Sequence, residues 1–188
     1  MPTEAKSALA TGLQATVPAV AMLELHLGEL RQLFNSMDPA PFRERDLDPK
    51  ASDYIVEWAT EVPADQALAM LVHLGAPTPD AELAGDAVRE YFRGRAVAKR
   101  RELSKMFKVG RISLVIGLAF LGVAIVVGEA LAATINKEGY AWLVKESLVI
   151  GGWVALWRPL EIFLYDWWPL RAQAKLYDRL GRMRVSVA

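Results

Sequence analysis

Two histidines, a run of carboxylates and three ionisable groups in apolar surroundings are the side chains whose types and spacing suit chemistry. His26 and His73 each close an apolar run, in "LELHLG" and "MLVHLG". Neutral imidazoles at such positions suit metal ligation or proton transfer. If their runs are parallel neighbouring strands, the two rings approach on one face. Asp38, Glu44, Asp46 and Asp48 follow closely in sequence and carry the oxygen ligands that Mg²⁺ or Ca²⁺ prefers. Their spacing departs from the 12-residue calcium loop, with no central Gly and no terminal Glu in register. Turn caps and a solvated acidic face beside Arg43 and Arg45 are therefore the expected role. Two histidines without a third convergent ligand make an incomplete metal site.

No Ser stands in a nucleophile elbow, no Gly-rich loop is built to cradle phosphate, and there is no Cys. Thiol chemistry, disulfides and Cys-based zinc sites are excluded. No catalytic residue, metal or cofactor is assigned. His26, His73, Asp38, Glu44, Asp46 and Asp48 stand as candidate contacts for a partner or an ion.

The remaining ionisable groups interrupt apolar segments. Arg158 and Glu161 lie three apart in "WRPLEIFLYDWWPLR", where a helix puts them on one face. Pro159 follows Arg158 and removes a backbone donor, so a kink or break is expected there. Both residues fall in the end of the segment where long side chains reach headgroups, which favours an interfacial structural pair over an inter-subunit network or a proton path. Glu129 stands near the outer end of the other apolar segment, with three readings open: it faces a lumen, it meets Lys137 or Lys145, or, as is more usual, it marks the outer boundary.

Those two segments, residues 112–128 continuing past Glu129 as "ALAATI", and residues 147–165, dominate the second half. At 1.5 Å per residue each can cross a hydrocarbon core of about 30 Å. Charge is segregated around them. Residues 1–92 hold 15 Asp/Glu against 6 Lys/Arg, whereas residues 93–111 hold 8 Lys/Arg and the single Glu102. Residues 171–184 add 5 Lys/Arg against Asp178. Basic clusters before the first span and after the second predict a hairpin with both termini cytoplasmic, in a bacterial-type inner (plasma) membrane. Tyr140, Trp142, Tyr165, Trp167 and Trp168 sit where interfacial rings belong. Small residues at heptad spacing, Gly110, Gly117 and Ala124, with Gly128 beyond them and the Gly151–Ala155 pair opposite, offer close-packing faces.

In the first half, Leu23, Leu25 and Leu27 alternate with Met22, Glu24 and His26, the pattern of a half-buried strand. Residues 66–75 read as a second strand, with helix as the alternative for both short apolar runs. Between them Asp48 and Pro49 open a helix with Ala51, Tyr54, Ile55, Trp58 and Ala59 as its stripe. A long helix follows from Asp80, with Leu83, Val88, Tyr91 and Phe92 as contacts. A short amphipathic helix follows the second span, with Leu170, Ala174, Tyr177 and Leu180 on one side. The tail "MRVSV" is expected to return to the sheet.

The fold class expected is an α/β small cytoplasmic domain plus a two-helix transmembrane hairpin, predominantly helical overall. Its parts are a flexible leader at 1–17, the α/β domain at 18–79 and a basic stalk helix at 80–111. Spans follow at 112–134 and 147–166 around an external loop at 135–146, then a basic amphipathic tail at 167–188. The pattern suits a non-enzymatic membrane accessory or scaffold protein that meets anionic headgroups and a protein partner or further copies of itself. A basic stretch directly beside a span speaks for lipid over nucleic acid. The alternatives are a homo-oligomeric small channel or transporter subunit, and a membrane-tethered metal-dependent enzyme.

Overall fold

The computed structural model describes residues 20–75, 79–134 and 138–188. It divides into two units: a sheet unit comprising residues up to 93 and residues 176–188, and a helical unit comprising residues 94–175. The segment read as a leader lies outside the described residues.

The sheet unit contains strands β1 (Val20–Leu27), β2 (Ala67–Leu74) and β3 (Arg184–Val187), all parallel, in the order β1-β2-β3. Helix α1 (Pro49–Glu61) links β1 to β2. The whole helical unit lies in sequence between β2 and β3. Alternation puts Leu23, Leu25 and Leu27 on one face with Met70, Val72, Val185 and Val187, and this face carries the core. β2 is the central strand and is apolar along nearly its whole length.

Asp48 caps α1 by accepting from the backbone N–H groups of Lys50 and Ala51, and Pro49 fills the first helical position. The buried stripe is Ser52, Ile55 and Ala59, whereas Tyr54 is exposed. The inward face is therefore turned toward Ser52, whose Oγ accepts from the hydroxyl of Tyr91 at 3.2 Å. Phe34 and Phe42 pack together with ring centroids 4.8 Å apart, and Phe34 is buried.

Helix α2 (Ala81–Thr134) is unbroken, so the stalk and the first apolar segment are one helix. Its first turns bury Ala84, Ala87, Val88 and Phe92, and leave Leu83 exposed. Helix α3 (Glu138–Glu161) begins inside the stretch read as a loop. It passes through a π-helical turn at Ile162–Asp166 into α4 (Trp167–Leu180). Pro159 does not break the helix; the irregularity falls just after it.

Within the helical unit α2 and α3 pack antiparallel. Gly110 abuts Ile162 and Phe163, Gly117 abuts Ala155 and Leu156, Gly152 abuts Leu121, and Gly128 abuts Lys145. Ala124 is buried in the same seam. The small-residue stripe therefore seals the two helices within one chain. In α3 the small contact is Gly152, while Gly151 faces open space. The remaining surface is apolar and exposed, with Val115, Ile116, Val123, Val126, Trp153, Val154 and Trp157 each more than 60% accessible. These are two helices long and apolar enough to cross a membrane, and only 17% of the most apolar stretch of each is buried. A core helix of a globular domain would be mostly enclosed.

Candidate functional site

The sheet face opposite the core carries Val20, Met22, Glu24 and His26 from β1, Leu71 and His73 from β2, and Arg184 and Ser186 from β3. Parallel pairing puts His26 directly opposite His73, and their rings stack with centroids 4.5 Å apart and planes 18° from parallel. His73 Nε2 lies 4.0 Å from Glu24 Oε2. Val20 and Met22 are each 55% exposed. Purely parallel sheets are ordinarily covered on both faces, because their crossover connections lay helices over them. Here the core covers one face, and the second presents a stacked imidazole pair flanked by a carboxylate and apolar side chains.

The four acidic residues do not converge on the histidines. Asp38 accepts from the backbone N–H groups of Ala40 (2.9 Å) and Asp46 (2.7 Å). These bonds, Asp46 first, hold its carboxyl below the usual carboxylate range, with a smaller contribution from Arg45. Asp48 is the cap of α1. Glu44 closes a short 3₁₀ turn, Phe42–Glu44, and the backbone of Asp46 is tied to Asn35. The segment is built as turns and caps. Among the described residues no group of three His, Asp or Glu side chains is arranged to hold a metal ion.

In the helical unit each intramembrane candidate has a partner. Glu129 Oε1 lies 3.7 Å from Lys145 Nζ, an ion pair from α2 to α3. Lys145 reaches it by passing its stem over Gly128. Arg158 pairs with Glu161 at 3.1 Å and with Asp166 at 3.4 Å, and the indole of Trp157 donates to the other oxygen of Glu161. Asp166 was not foreseen. Eight α-helical steps of about 100° would rotate it some 80° from Arg158, but the π turn takes up one residue and returns it to that face. The contacts between helices set Arg158 level with Leu114 and Glu161 level with Arg111. The guanidinium thus reaches toward the basic end of the unit, the direction in which a long side chain snorkels.

Pro159 has no N–H to give the carbonyl of Ala155. That oxygen lies 3.1 Å from where a Cβ on Gly117 would stand. The close approach at Gly117 therefore occurs at the one turn of α3 whose backbone carbonyl is released from the helical ladder.

Arg179 was also missed in the sequence. It donates to the carbonyls of Pro63 (2.8 Å), Gln66 (3.2 Å) and Val62 (3.4 Å), bracing the connection between α1 and β2. No protein-family model, curated protein or solved structure matches the chain.

Proposed function

We propose that this chain is a non-enzymatic accessory or scaffold protein of a bacterial-type inner membrane. Its helical unit crosses the bilayer twice, and its sheet unit binds a protein partner in the cytoplasm. The observation that carries this reading is the open face of the parallel sheet: Val20, Met22, Glu24, His26 and His73 on a surface such sheets normally cover. Exposed apolar groups with charged groups at the edge are the composition of a partner-binding patch.

Three further observations support the membrane part. Apolar side chains point outward along both long helices, as lipid contact requires. Arg101, Lys105 and Lys108 recur at helical spacing on α2 and are exposed, where anionic headgroups would meet them. β2 precedes the hairpin and β3 follows it, yet the two strands pair, so both flanks belong on one side of a membrane. A channel formed by several copies draws less support, because Glu129, Arg158 and Glu161 find partners within the chain. The metal-dependent alternative finds no ligand set among the described residues.

The test is native mass spectrometry in lipid nanodiscs, combined with a photo-crosslinking residue at Met22 and another at Met37, which is exposed and belongs to none of the strands. The reading requires a monomer or dimer holding a distinct protein, crosslinked from position 22 and not from 37. A closed homo-oligomer of four or more copies with no adduct from position 22 would replace it with a pore.

A further inference from the structure

We infer that the helical unit carries a discrete site for one anionic phospholipid, in the cleft between α2 and the π turn with the start of α4. The inference rests on the membrane reading above and assigns a place and a chemistry to its lipid contact. The cleft measures about 400 Å³, within the range of small-molecule sites, and is lined by Leu103, Phe107, Phe163, Trp167 and Arg171.

Its walls change character along their length. Phe107 stacks on Phe163 at 6.1 Å and lies 6.4 Å from Trp167, making an aromatic trough. The indole N–H of Trp167 donates to the carbonyl of Phe163 (2.9 Å), which fixes that ring at the wall of the cleft. The guanidinium of Arg171 lies 5.5 Å over the Trp167 ring. Phe163, Trp167 and Arg171 follow one another at steps of four, so the wall runs from phenyl ring through indole to the guanidinium lying over that indole.

An occupant that matches both ends has a flexible apolar chain and an anionic head. The trough suits a file of methylenes, and the planar fork of Arg171 suits two phosphate oxygens. Charge selects the class. Residues 93–111 hold 8 Lys/Arg and one Glu, and Glu102 is paired with Lys99 at 2.9 Å. This surplus favours a net negative headgroup and repels the ammonium of a zwitterionic one. Position agrees, because Leu103 and Phe107 precede the apolar segment at Ile112 by one to three turns, the depth at which phosphates lie.

The site is tested on the full chain in detergent micelles by native mass spectrometry, with phosphatidylglycerol and phosphatidylcholine competing at equal concentration. One phosphatidylglycerol per chain should be retained in preference. Arg171→Gln should weaken retention by about fivefold or more, the scale of one lost charge-assisted contact. Lys50→Gln, an exposed change on α1 of the sheet unit, outside both the cleft and the basic stretch 93–111, should leave it within about twofold. Matching melting temperatures for the variants show that folding is not the cause, and the wild-type competition decides the matter even if a variant misfolds. Equal retention of both lipids, or displacement of the lipid by inorganic phosphate alone, would overturn the site. Vesicle flotation separates the two levels: a chain that fails to float refutes the hairpin, whereas one that floats without lipid preference refutes only the site.

Discussion

Arg179 donates to the carbonyl of Pro63 across 116 residues of sequence. The same guanidinium serves Val62, the C-cap of α1, and Gln66, so one side chain from the segment after the hairpin ties down the connection from α1 to β2. A cation at a helix C-terminus also opposes the negative end of the helix dipole. Arg179→Met is expected to lower stability by about 1–3 kcal/mol, read as a reduced melting temperature. Arg179→Lys should recover only part, because an ammonium lacks the planar fork that reaches three carbonyls. Equal melting of all three proteins would show the contacts to be inconsequential.

The seam between α2 and α3 gives a paired prediction. A Cβ added at Gly152 runs into Leu121, whereas one added at Gly151 meets nothing within 4 Å, and the variants Gly152→Val and Gly151→Val exploit that difference. The first should destabilise by about 1–3 kcal/mol, as overpacked contacts do, and the second should be near neutral. Gly117→Val should behave like Gly152→Val, since the freed carbonyl of Ala155 occupies the space. Thermal melting in micelles reads all three variants.

Arg158 is exposed and oriented toward the basic end of the helices, with two carboxylates in reach. Exposed pairs of this kind contribute about 0–1 kcal/mol. Arg158→Leu should therefore insert, and melt within a few degrees of the wild type. Failure to insert, or loss of assembly, would show that the carboxylates of Glu161 and Asp166 are enclosed in lipid or protein and need this cation.

Asp38 gives a pH dependence with a defined sign. Its carboxyl is held below the ordinary range by two backbone N–H groups, so its stabilising effect is full above the unfolded value of about 3.9. The effect is lost as pH falls through the lower folded value. Asp38→Asn should melt below the wild type at neutral pH, and the gap should close as the solution is acidified. A gap that persists at low pH would place the effect elsewhere than in the ionised carboxyl.

Much of the sheet unit was legible because its signals are local. The alternation of Leu23, Leu25 and Leu27, the Asp48–Pro49 helix start and the recurring His-Leu pair each follow from strand or helix geometry. Even the stacking of His26 on His73 required only that the two strands be parallel neighbours. What escaped depends on distant groups or on small departures from regularity. The role of Arg179 is invisible without knowing where α1 ends in space. Asp166 faces Arg158 only because a π turn shifts the register by one residue. On α1 the inward face includes Ser52, held by the hydroxyl of Tyr91, and leaves Tyr54 exposed. In the helical unit, heptad-spaced glycines marked the packed face, but composition did not separate Gly151 from Gly152.

The central claim is that a membrane hairpin is inserted between two paired strands of one sheet, with both flanks on the cytoplasmic side. Because the chain has no Cys, single cysteines can be introduced cleanly. Met37→Cys and Ser186→Cys mark the sheet unit, and Tyr140→Cys marks the turn of the hairpin; all three positions are exposed. In intact cells an impermeant thiol reagent should label position 140 alone, with positions 37 and 186 reacting only after the membrane is opened. Labelling of 37 or 186 in intact cells, or recovery of the protein in the soluble fraction, would contradict the claim.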